Sequence, residues 1–92
     1  MEILELNNKK YNGVQLPTEK TSLLVIQGEK GMLACGYINI DTANKLEESV
    51  VIVTGVKNFD DMLKAKVHQI SLKAKEKGVT ESMTGAQALD LL

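Results

Sequence analysis

Apolar and polar residues alternate with period two through most of the first forty positions, the signature of strands that turn one face to a core. Ile3 with the Leu4/Leu6 pair predicts a first strand, closed by a polar turn at Asn7-Asn8-Lys9-Lys10. Val14 and Leu16 continue the pattern until Pro17 stops it. Ser22-Leu23-Leu24-Val25-Ile26-Gln27 is apolar at four consecutive positions and reads as a strand that needs cover on both faces. Gly28-Glu29-Lys30-Gly31 has hairpin-loop chemistry and leads into a strand from Met32 to Ile38. Together these segments predict an antiparallel β-meander.

The period changes in the second half. Asp41 is placed to cap a short helix, Thr42 to about Glu48, ahead of the β-branched run Val50-Val51-Ile52-Val53. Strand, helix and strand in that order form a βαβ candidate, whose two strands run parallel if they share a sheet. Gly55 ends the run, and Asn58, with Asp61 three positions on, caps a helix that buries Phe59, Met62 and Leu63. Leu63, Val67, Ile70 and Ala74 permit one helix from Phe59 to Lys77. A short strand from Val67 to Ile70 followed by a helix capped by Ser71 is the alternative; helical character with a break near Lys66 is the favoured reading. Gly78 suits a helix end, and Thr84 caps a last helix, Gly85 to Leu91. The fold class is α+β: an N-terminal antiparallel β-meander, a βαβ unit and C-terminal helices, in one domain over residues 1–92.

Composition narrows the functional classes. All 11 cations are lysine, against 12 acids, for a net charge of −1. With no arginine fork and no basic field, nucleic acid is not an expected partner. The longest apolar runs are far short of a membrane span and the N-terminus is acidic, so no membrane association is expected and the cytoplasm is the expected location. One cysteine excludes an internal disulfide, and with one histidine it makes a poor metal site, so no metal and no cofactor is expected. The core must be built from Leu, Ile, Val, Ala and Met, because Tyr11, Tyr37 and Phe59 are the only aromatic residues. A chain this small buries only about two-thirds of its surface. Cover for the doubly apolar strand is therefore expected from a second copy, with residues 1–28 as the oligomerisation region.

Three places could carry chemistry. Cys35, near a strand's end and followed by Gly36 and Tyr37, is either a nucleophilic or redox thiol or a small buried hydrophobe. His68, the only histidine, lacks any sequence feature that pairs it with Cys35, and Asp60-Asp61 reads as first-turn charge on a helix dipole. Thr54-Gly55-Val56-Lys57-Asn58 joins a strand to a helix N-terminus and offers a modest anion pocket; Thr84-Gly85 has a similar capacity. Whether the protein is an enzyme stays open at this point.

Several stretches taken together are similar to a known family. Lys30-Gly31 through Cys35-Gly36-Tyr37-Ile38-Asn39, then Val53-Thr54-Gly55-Val56-Lys57-Asn58-Phe59-Asp60-Asp61-Met62-Leu63, then Met83-Thr84-Gly85 with Ala88-Leu89, resemble the YunC-like family, a bacterial and archaeal domain of unknown function. The resemblance runs from about Glu29 onward. It implies an α+β fold whose N-terminal β-region mediates tetramerisation, and it implies no reaction, ligand or cofactor. Its motif positions fall on Cys35-Gly36, Gly55-Val56-Lys57 and Thr84-Gly85. Ser82, where the family tends to have glycine, and Ala86-Gln87, where it tends to have charge, depart from the pattern and weaken any charge-based binding by that loop. Two functions follow as expectations: a homo-oligomeric binding or interaction module, or a thiol-dependent enzyme or redox protein centred on Cys35.

Overall fold

Asn7 and Asn8, at φ 53° and 65°, fold β1 (Glu2–Leu6) back onto β2 (Lys9–Pro17). Two successive positive-φ residues give a two-residue hairpin turn whose twist matches that of the strands. Lys9 and Lys10, expected in the turn, are thereby strand residues. The computed structural model describes residues 1–92. β3 (Ser22–Gln27) follows as the pattern predicts, and β4 (Met32–Ala34) ends before Cys35 rather than at Ile38. After α1 (Ile40–Lys45) comes β5 (Val50–Ile52), then α2 (Phe59–Lys64), β6 (Gln69–Ile70), α3 (Leu72–Glu76) and α4 (Gly85–Leu89).

The six strands form one sheet in sequence order, antiparallel throughout except that β4 and β5 run parallel, joined by α1 as crossover. Register assigns the faces. Leu4, Tyr11, Ile26, Leu33, Val51 and Ile70 align across the strands on one side. That side forms the main core with Phe59 and Met62 of α2, Ala74 of α3, and Ala88 and Leu89 of α4. The opposite side is covered where Ala43 of α1 packs on Ala34, Val50 and Ile52, with Val25, Met32, Ile38 and Ile40 partly buried around them.

No helix exceeds six residues, too few to be stable alone. Each carries a side-chain N-cap. Asn39, not Asp41, caps α1, its Oδ1 accepting from the N–H groups of Asp41 (2.8 Å) and Thr42 (3.2 Å). Asp41 instead supplies first-turn charge to the helix. Asn58 caps α2, Ser71 caps α3, and Thr84 forms a reciprocal capping box with Gln87 in α4.

The stretch from Leu63 to Lys77 is not one helix, and its break belongs to tertiary hydrogen bonding. Lys66 bridges to Thr84, and Val67 N–H donates to Met83 O (3.0 Å). His68 N–H donates to Ile52 O (2.8 Å), and β6 pairs with β5. The open edge of β5 offers bonds that a continuous helix would forgo. Ser71 then ties α3 to the sheet. Its fully buried hydroxyl donates to Glu48 O (2.8 Å) and accepts from Val50 N–H (2.8 Å) and Ala74 N–H (3.3 Å). Substituting Ser71→Ala leaves these backbone groups without partners in the core; the expected loss is about 2 to 4 kcal/mol, read from urea unfolding at unchanged m-value.

Candidate functional site

The C-terminal ends of parallel strands, where loops diverge, are the usual place for a site in βαβ units. Here the chain leaves β4 through Cys35-Gly36-Tyr37 and β5 through Thr54-Gly55-Val56. These two loops, with Thr21 and Ser22 from the start of β3, line an open cleft of about 360 Å³. Four of the sequence-predicted positions, Cys35, Gly36, Tyr37 and Gly55, thus share one cleft. Thr54 belongs to the strand-to-helix turn that the sequence offers as an anion pocket; Thr21 and Ser22 carry no such signal, since isolated hydroxyls in turn-like stretches have no periodic or motif pattern.

Cys35 is 4% exposed and takes part in the sheet's hydrogen bonding. Its N–H donates to Leu24 O at 3.0 Å, and Leu24 N–H donates to Cys35 Sγ at 3.3 Å. The chain turns away at this residue, with Cys35 O accepting from Ile38 N–H (3.2 Å), so the thiol sulfur completes the ladder where a carbonyl otherwise would. Van der Waals contact through the sulfur also places Cys35 in the main core. His68 is exposed, on the β6 side of β5, and is not in the wall of the cleft.

The two glycines of the cleft differ in what they permit. A Cβ on Gly36 would meet only Thr54 Cγ2, at an ordinary 3.6 Å, so no close approach depends on it. Gly55 sits at φ 69° with open space around it, and backbone conformation rather than room favours glycine there. Tyr37 is 55% exposed, its hydroxyl 3.4 Å from Thr18 Oγ1 at the rim.

Lys57, Thr84 and Gly85 stand apart from this cleft. Lys57 N–H is engaged by Asp61 Oδ2 at 3.0 Å, while Asp61 N–H donates to Asn58 Oδ1 at 2.7 Å, so the loop before α2 uses its polar groups to cap its own helix. Gly85 is a packing residue. Its N–H donates to Ala65 O (2.8 Å), and a Cβ there would fall 1.9 Å from Met62 O, an overlap that backbone cannot relieve. The Thr-Gly pair therefore brings α4 against α2.

Charge around the molecule is surface charge. Lys64 is held above the ordinary lysine value of 10.5 by the hydrogen bond from its ammonium to Asp60 (2.9 Å) and by that carboxylate's charge. Lys9 is raised likewise by Asp90 at 3.2 Å. A raised lysine pKa stabilises the fold below the unfolded value and loses that effect as pH climbs through the folded one, so the small contribution of both exposed pairs is present at neutral pH and is lost only in alkaline solution. No group of three or more His, Cys, Asp and Glu side chains is arranged to hold a metal ion.

This geometry defines a small α+β protein: a mixed six-stranded sheet with a neutral, hydroxyl-rich cleft at the ends of its parallel pair. The family model described as a domain of unknown function (DUF1805) matches residues 34–92, and the chain belongs to that family. The match begins at the end of β4, so the cleft loops and all four helices lie inside it and β1 to β3 lie outside. The uncharacterized protein YunC of Bacillus subtilis (strain 168) is 24% identical over 88 residues, 91% of this chain and 87% of that protein. The crystal structure of a protein of unknown function, TA1206 from Thermoplasma acidophilum, superposes with a TM-score of 0.91 at 36% identity, covering 97% of this chain and 87% of that one. The N-terminal meander is therefore common to this protein and the solved structure.

Substituting Cys35→Ala removes the acceptor of Leu24 N–H, with an expected loss of about 1 to 3 kcal/mol in urea. Iodoacetamide labelling of the native protein should be slow and should accelerate as urea unfolds the chain. Fast labelling of the folded form at neutral pH would instead mark a reactive thiol.

Proposed function

We propose that the protein is a homo-oligomeric interaction module of the cytoplasm, joined through the N-terminal strands and, as the family resemblance implies, tetrameric. One observation carries the reading. On the sheet face that α1 leaves open, Ile3 of β1 is 70% exposed, and Val14 and Leu16 of β2 are 37% and 59% exposed. Val14 pairs with Val25 and Leu16 with Leu23, both half-buried, so an apolar surface runs across β2 and β3, and Ile3 lies on the same face of β1, opposite Asn12. Contiguous apolar surface of this kind marks an interaction site. Burying each such side chain yields about 1.5 to 3 kcal/mol, counted on both sides of a two-fold contact. That sum competes with an association cost of about 4 kcal/mol or more.

The partner best suited to this face is another copy. The stripe lies on regular strands and includes no charged position between Val14 and Leu16 or between Leu23 and Val25, so identical stripes can meet without an unpaired charge. Beside it the outer edge of β1 is unpaired, which allows a sheet to extend across the contact. The cytoplasmic assignment rests on a single cysteine with no disulfide partner and on the absence of any helix long and apolar enough to cross a membrane.

Light scattering on the wild-type chain is expected to give a multiple of 10.1 kDa that persists on dilution. Ile3→Glu combined with Leu16→Glu should give monomers with unchanged far-ultraviolet circular dichroism, because both positions are exposed in the single chain. A wild-type particle of monomer mass at all concentrations would remove the reading.

A further inference from the structure

At the end of the sheet opposite the Cys35 cleft, the β1–β2 hairpin, the β3–β4 loop and the segments that follow α3 and α4 enclose a second cavity, about 570 Å³ in volume. Its wall carries Lys9, Lys10, Lys30 and Lys77 against only two acids, Glu29 and Asp90. The chain as a whole has 11 lysines and 12 acids, so more than a third of its cations and only a sixth of its anions meet at this one place. The cavity is positive on a molecule that is not.

The four lysines are not equally committed. Lys9 Nζ lies 3.2 Å from Asp90 Oδ1, which neutralises both. Lys77 Nζ lies 2.5 Å from Ser49 Oγ, a neutral partner that fixes the ammonium without cancelling its charge. Lys10 and Lys30 enter no ion pair. Among the wall residues Lys10, Lys30 and Lys77 thus stand against one unpaired acid, Glu29, with Glu5 across the hairpin from Lys10 and the Lys77 ammonium on the border with the groove lined by Ser49, Glu47 and Glu48. Even a carboxylate at Leu92, whose carbonyl oxygen accepts from Lys30 N–H, would leave the wall one cation in surplus. That backbone bond holds the β3–β4 loop, and with it Lys30, at the cavity mouth. The apolar part of the floor is Leu91, 39% exposed, with Tyr11 and Leu89 buried beneath it.

We propose that this cavity binds a small organic polyanion, a molecule of nucleotide size whose charge is carried by phosphate. Its volume lies in the range of metabolite sites and exceeds what an inorganic ion fills. Lysine ammonium groups act as point charges that phosphate oxygens satisfy from several directions, without the planar match an arginine site requires. The apolar floor accommodates the uncharged part of the ligand. A nucleic-acid strand fits less well, because the positive charge is confined to one cavity and Glu47 and Glu48 line the adjoining surface beyond the β3–β4 loop.

Isothermal titration at low salt with ADP, pyrophosphate and adenosine tests the proposal on the intact protein. ADP is expected to bind and to raise the melting temperature by mass action. Pyrophosphate should bind more weakly, and adenosine should give no measurable heat. Lys10→Glu combined with Lys30→Glu should weaken ADP at least about tenfold while circular dichroism shows the fold intact. Lys20→Glu, on the β2–β3 loop at the other end of the sheet, should leave the affinity near that of the wild type. Absence of binding by both ADP and pyrophosphate at millimolar concentration overturns the proposal. So does adenosine binding as tightly as ADP, or an equal loss in the Lys20 variant, which would reduce the effect to overall charge.

Discussion

Cover is the scarce quantity in this molecule. A six-stranded sheet has two faces to shield from water, and the chain provides four helices of five or six residues to do it. Three of them go to one face, where α2 and α4 seat Met62 and Leu89 against Leu33 and Val51. The fourth, α1, shields β4 and β5 on the other face, and the cluster it forms there reaches no further than Val25 of β3. The apolar stripe on β1 to β3 is the direct consequence of that distribution. The proposed self-association starts from that stripe.

Helices this short depend on their ends and their contacts more than on propensity. Four side-chain caps satisfy the first N–H groups, and the contacts are made close by particular small residues. Phe59 of α2 lays its ring over Gly13 of β2, where any Cβ would meet the ring at 2.8 Å. Gly85 lets α4 touch the backbone of α2 in the same way. The first contact ties the helical layer to the meander, and the second ties the helical layer together. Since the family model covers only residues 34–92, the packing of Phe59 on Gly13 is a seam between the family-defining region and the strands that precede it.

The two cavities occupy opposite ends of the sheet and differ in chemistry. The cleft at the ends of β4 and β5 is neutral, lined by hydroxyls and the Cys35 thiol. The cavity beside the β3–β4 loop is larger and positive. The sulfur of Cys35 is occupied as an acceptor from Leu24 N–H, a role that explains a cysteine at a strand end without any reaction. A ligand at the lysine cavity would instead contact both the meander and the segments after α3 and α4, and so would brace the chain's two halves.

Much of this architecture is legible in the residues themselves. Ser22 to Gln27 announces β3 by its apolar run, Asn58 and Thr84 announce their helices by cap chemistry, and the strand-helix-strand order around Thr42 to Lys45 entails the parallel pair of β4 and β5, since local propensity, turn residues and the shortest connection all act within a few positions. The polar alternation also announces a meander, but not which face stays open. What only the folded chain decides is long-range. Residues 66–70 permit a helical pattern but run extended, with β6 at Gln69–Ile70, because the edge of β5 has hydrogen bonds to fill. Ser71 reads as one more cap and turns out to bond three elements at once. The four lysines of the larger cavity are scattered between positions 9 and 77; no local pattern joins them, because charge is additive in space and only the tertiary fold sets the distances over which it adds.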